Sequence, residues 1–147
     1  MDGDGVNAMA GQVQELRPRG GDSEKITINL GYVDLGHIDL LVQEGFYANR
    51  TDFIRTAIRN QVERHAEAAR QSMARKSIDI GMRHYGRAEL EAVREAGRML
   101  DIRVLGLTVI ASDVTPELAR ATIASITVLG ALQASAAVKA ALADRTR

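Results

Sequence analysis

Polar and apolar residues alternate along residues 25–30, KITINL, with Lys25, Thr27 and Asn29 on one side and Ile26, Ile28 and Leu30 on the other. A period of two predicts a half-buried strand. The period then lengthens. In YVDLGHIDLLVQEG the residues Leu35, Ile38, Leu41 and Val42 recur at helical spacing, and Gly45 supplies a stop. Gly36 lies inside this helix at a cost of about 1 kcal/mol relative to alanine. A second helix starts at Asn49, which with Asp52 forms a capping pair: the amide oxygen accepts from a first-turn N–H, and the acid favours the positive helix end. Phe53, Ile54, Ala57, Ile58 and Val62 continue one apolar face. Beyond Val62 the apolar residues are mostly alanines, and the helix is expected to run on toward Arg75 with weaker packing.

A second unit follows. Residues 87–100, RAELEAVREAGRML, have a helical pattern with Leu90, Val93 and Leu100 as the larger apolar residues. Residues 101–112, DIRVLGLTVIAS, are rich in branched residues and predict a strand. Residues 113–124 open with Thr115 as a cap and Pro116 in the first turn of a short helix. Residues 125–135, SITVLGALQAS, return to a β pattern, and residues 136–147 close with a helix. The two VLG elements, at Val104 and Val128, stand 24 residues apart. Two copies are fewer than a solenoid requires, so they are read as related β turns in a small mixed module. Between Leu118 and Leu142 only Arg120 and Lys139 are charged. So apolar a stretch is core, an interface with another chain, or both.

Composition narrows the chemistry. The 147 residues contain no cysteine, which excludes disulfides, thiolate metal sites and cysteine nucleophiles. His37, His65 and His84 are too scattered to suggest a metal site. Glu89 and Glu91 are two apart on a helix and do not share a face, so they form no catalytic dyad. No cofactor, metal or catalytic residue is expected, and the chain is not read as an enzyme. No apolar run reaches membrane-spanning length, and the N-terminus has acids where a secretory signal has bases. A cytoplasmic protein with no membrane partner is the expectation. Residues 1–23 are glycine-rich and aperiodic, the composition of a flexible tail.

Nineteen basic and nineteen acidic side chains cancel. The balance is −2 over residues 1–23, −1 over 24–70 and +3 over 71–147. A nucleic-acid site must therefore be local, or doubled by symmetry.

The ordered whole of one strand, one helix and one capped helix over residues 24–66 resembles the ribbon-helix-helix family of dimeric DNA-binding proteins. Its most specific part runs from Gly45 to Ile58: a glycine stop, a polar cap, Arg50, Thr51, then Phe-Ile-Arg-x-Ala-Ile-Arg. The C-terminal region lies outside the resemblance. The implied fold is α+β, with an intertwined ribbon-helix-helix dimer over residues 24–75 and a small mixed α/β module over 76–147 for oligomerisation or sensing. A lone strand cannot satisfy its own backbone or bury its apolar side, and pairing with a two-fold mate does both. In that arrangement Ile26, Ile28 and Leu30 join Leu35, Ile38, Leu41, Phe53, Ile54, Ala57 and Ile58 in the core.

The resemblance implies that Lys25, Thr27 and Asn29 contact bases in the major groove. Asn49, Arg50, Thr51 and Arg55 would contact phosphates at the N-terminal end of the second helix. The implied partners are double-stranded DNA and a second copy of the chain, in a dimer or larger assembly. A larger assembly would add avidity to a module with little positive charge. The expected function is transcriptional regulation by operator occupancy. Two rivals belong to other classes: an antitoxin that binds a protein partner through its C-terminal region, and an assembly protein with weak or lost DNA binding.

Overall fold

The computed structural model describes residues 23–147, so the expected tail, apart from Ser23, lies outside the described residues. Contacts divide the chain into two compact units: Ile26–Ser77, and Ile78–Arg147 together with residues 23–25.

The N-terminal unit is helical. Residues 23–31 belong to no helix or sheet among the described residues, and helix α1 begins directly after them at Tyr32–Gln43. It stops where the sequence provides for a stop. Gly45 has φ +86°, the Gly45 N–H donates to the Val42 carbonyl at 3.0 Å, and the Phe46 N–H donates to that of Leu41 at 3.0 Å. This crossed pair satisfies two carbonyls that a helix end leaves free, and the left-handed turn it needs suits glycine. Helix α2 follows at Arg50–Arg64 and α3 at Ala66–Lys76. The single long helix expected toward Arg75 is thus broken at His65, whose φ of −102° and ψ of 12° leave the helical region. α3 ends at Ser77, which adopts a left-handed φ of 53°.

Only Ile38 of this unit's expected core is buried within one chain. Ile26, Ile28 and Leu30 are 72%, 58% and 37% exposed, and Ile58 is exposed as well. Three helices of this length do not cover the apolar surface that they and the preceding segment carry.

The C-terminal unit is a two-layer α/β structure. Strands β1 (Asp79–Tyr85), β2 (Leu100–Ile110) and β3 (Ile123–Gln133) form a parallel sheet in the order β1-β2-β3. Helices α4 (Arg87–Glu95) and α5 (Pro116–Thr122) connect them, and α6 (Ala136–Ala141) follows β3 with a 3₁₀ turn at Ala143–Arg145. β1 is a strand that the sequence pattern does not announce. The helix expected over residues 87–100 is shorter than expected. It ends at Glu95 because Gly97 (φ 66°) closes the same crossed pair of hydrogen bonds as at Gly45, Gly97 to Arg94 and Arg98 to Val93. That frees Leu100 to start β2. Thr115 caps α5 as expected, its hydroxyl accepting from the Leu118 N–H at 3.1 Å, with Pro116 as the first helical residue.

Alternate strand positions face the helices. Ile102, Val104, Ile110 and Ile126 pack with Leu90, Leu118, Val138 and Leu142 into one core. The intervening positions leave Ile80, Met82 and Leu129 exposed on the other face.

The two VLG elements are not turns. Both lie in mid-strand, and the register sets Gly81, Gly106 and Gly130 side by side across all three strands. Each has a positive φ: 123°, 140° and 126°. A Cβ on Gly106 would sit 2.1 Å from the Gly81 carbonyl oxygen, and one on Gly130 the same distance from that of Gly106. The echo is therefore threefold, and the unit is a short stack of strand-helix repeats.

Candidate nucleic-acid interface

The base-reading candidates lie in the segment that precedes α1. Lys25, Thr27 and Asn29 are exposed, and so are the intervening apolar residues, because the segment has no sheet partner among the described residues. Thr27 and Asn29 belong to the helical unit. Lys25 is the last residue grouped with the C-terminal unit, where it borders a hollow with Ser23, Glu24, Met82, Leu107 and Gln133.

The phosphate candidates come together at the start of α2. Asn49 is the cap: its Oδ1 accepts from the Asp52 N–H at 2.8 Å. The Asp52 carboxylate accepts in return from the Ala48 N–H at 2.9 Å, one residue ahead of the usual position. Tyr47 and Phe53 meet edge to face with ring centroids 5.0 Å apart, bracing the chain's entry into the helix. Helix geometry leaves the N–H groups of Arg50 and Thr51 without intrahelical acceptors, at the end where the dipole favours an anion. Thr51 and Arg55 are exposed and one turn apart on one flank. Neither Arg55 nor Arg59 forms an ion pair among the described residues.

Arg50 is engaged from an unexpected side. Its Nε and Nη2 donate to the two carboxylate oxygens of Asp39 on α1, each at 2.8 Å. Hydrogen bonding to the guanidinium, aided by its charge, holds the Asp39 carboxyl below its ordinary value and raises Arg50 in turn. The fork joins α1 to α2 and orients the guanidinium beside the cap, while its remaining donors stay available to an anion. Sequence reasoning missed Asp39. It lies eleven positions before Arg50, and no local spacing rule connects them.

Among the described residues, no cluster of histidine and acidic side chains suits a metal ion, and no helix is long and apolar enough to cross a membrane.

The chain matches the model of the ribbon-helix-helix transcriptional regulator family over residues 21–139. The match begins before the alternating segment and runs through the glycine-paired strands into α6, well beyond residues 24–66. No curated protein and no solved structure matches the chain. A family match over most of its length, joined to the segment-helix-capped helix order seen here, makes this chain a member of the ribbon-helix-helix transcriptional regulators.

Proposed function

We propose that the protein binds specific double-stranded DNA sequences as a homodimer and regulates transcription by occupying them. The observation that carries this reading is the exposed apolar row Ile26, Ile28 and Leu30, in a segment with no sheet partner among the described residues. Pairing residues 25–30 antiparallel with a second copy supplies the missing backbone partners and turns this row onto the helices. A fully buried aliphatic side chain is worth about 1.5–3 kcal/mol. Ile26, Ile28 and Leu30 are already partly buried, so the burial still to be gained across two chains is that of about three full side chains, roughly 5–10 kcal/mol and comparable with the cost of association.

The opposite side of the ribbon then presents Lys25, Thr27 and Asn29 twice to the major groove. Asparagine matches the paired donor and acceptor of adenine, lysine the acceptors of guanine, and threonine a hydroxyl contact or the thymine methyl. The α2 N-termini, with Asn49, Arg50, Thr51 and Arg55, hold phosphates on either side and set the register of the dimer.

Selection from a random duplex pool tests this. Wild-type protein should enrich a two-fold symmetric sequence. Asn29→Ala should relax the preference at one position in each half-site by about 1–3 kcal/mol while the dimer stays folded. Identical preferences in the two proteins, or no duplex binding at low salt, would refute ribbon readout.

A further inference from the structure

Among the described residues no strand pairs with the outer edge of β1, and the sequence of β1 is self-complementary about Gly81. The Tyr85 carbonyl accepts from the Ala111 N–H, and the Gly81 carbonyl is turned toward Gly106, so odd-numbered carbonyls of β1 face β2. Strand alternation then directs the backbone groups of Ile80 and Met82 outward. Their side chains are 74% and 65% exposed. Asp79 and Arg83 flank them, also exposed, and pair with each other at 2.8 Å along the strand.

We propose that two copies of the protein join here, β1 to β1 and antiparallel about a two-fold axis at Gly81, which extends the sheet to six strands. The proposal rests on the homodimer reading above. That dimer places two C-terminal units on one molecule, where a weak strand pairing is strengthened by effective concentration.

Three features select this register. Ile80 falls opposite the partner's Met82, with outward amides and carbonyls exchanged between them, and apolar meets apolar. Asp79 falls opposite the partner's Arg83 at a non-hydrogen-bonded site, where facing Cα atoms approach to about 4.5 Å and side chains are closest. Opposite charges therefore meet twice. Gly81 faces Gly81 at the same kind of close site. Within the chain Gly106 and Gly130 need to be glycine because a neighbouring carbonyl occupies the Cβ position, whereas Gly81 has nothing within 4 Å there among the described residues. By the repeat of the row, a side chain at Gly81 would project from the open edge into the incoming strand.

Head-to-tail stacking on β3 fits less well. The C-terminal residues already cover part of that edge: Thr146 pairs with Ile126, and the Arg147 N–H donates to the Ile126 carbonyl at 3.0 Å. An isologous β1 contact closes on itself and gives a defined dimer.

The chain has no cysteine, so engineered thiols report cleanly. In full-length Asp79→Cys/Arg83→Cys, mild oxidation should convert most of the protein to a covalent dimer on a non-reducing gel. Four strand residues span about 13 Å, too far for a disulfide within one chain. Asp79→Cys alone should remain largely uncrosslinked. In the wild type, the Ile80 and Met82 amides should exchange with solvent far more slowly than a free edge. No crosslink in the double variant, equal crosslinking in the single variant, or fast exchange at both amides would overturn the proposal. Duplex binding without a crosslink removes the edge pairing and leaves the ribbon reading intact. A crosslink without duplex binding supports the edge pairing and counts against the ribbon.

Discussion

Replacing Gly106 by alanine should damage the C-terminal unit more than any other single added methyl group, except its twin at Gly130. The new Cβ would lie 2.1 Å from the Gly81 oxygen and 3.0 Å from its carbonyl carbon. Both are backbone atoms, so no side-chain rotation relieves the contact. β1 and β2 must separate by roughly an ångström against an interstrand spacing of about 4.8 Å. That weakens the two or so ladder hydrogen bonds nearest the site, at a net 0.5–1.5 kcal/mol each. The φ of 140° adds strain of about 1–3 kcal/mol for a residue with a Cβ. Together these amount to about 2–6 kcal/mol, a large part of the stability of an ordinary domain. Gly97→Ala separates the two contributions. Gly97 has a positive φ of 66° and, among the described residues, nothing within 4 Å of its Cβ position, so only strain of about 1–2 kcal/mol applies. Urea unfolding followed by circular dichroism, with amide exchange in β1 and β2 as a local probe, measures both. A Gly106→Ala protein no less stable than Gly97→Ala would refute close strand approach as the reason for the glycine row.

Thr108→Val should be neutral or stabilising by up to about 1 kcal/mol in the same assay, because the fully buried Thr108 hydroxyl has no hydrogen-bond partner among the described residues. Arg55→Ala should weaken duplex binding about equally for all sequences and lower the slope of log affinity against log salt by about one, as loss of one phosphate contact requires. Titrating salt with wild type and variant checks it. The Arg120 hydrogen bonds and charge hold the Asp144 carboxyl below its ordinary value. Its contribution is therefore present above the unfolded carboxylate range and lost as pH falls through the lower folded value. Thermal melts of wild type and Asp144→Asn should differ most near neutrality and converge below about pH 4.

The local signals that could be read were those written in neighbouring residues. Asn49 with Asp52, Gly45 after Val42, and Thr115 before Pro116 all stand where caps and stops were expected, since each acts within one helical turn. Two kinds of feature escaped. β1 carries Asp79, Gly81, Arg83 and His84, so its pattern is that of a polar connector; as an edge strand it owes its conformation to β2 rather than to burial. Leu100 lies at helical spacing from Val93 and so reads as a continuation of the helix that Gly97 in fact closes. Of the candidate interface, the Asn49 cap was legible. The Asp39–Arg50 fork was not, because it depends on how two helices meet. The third member of the glycine row was hidden for a related reason: DIGM shares only its glycine and a branched residue with VLGL and VLGA, and the likeness emerges from strand register.

That row also governs how the sheet can be assembled. Parallel strands joined through helices bring distant residues together late, when shifted pairings compete with the native one. Here a shift by one rung carries Leu105 or Leu107 into the narrow place that only Gly106 fits, and a shift of β3 does the same with Leu129 or Ala131. A misaligned sheet must then either set a Cβ against a neighbouring carbonyl or give up the positive-φ backbone at that rung. The three glycines thus act as notches that allow the stack to close at one setting.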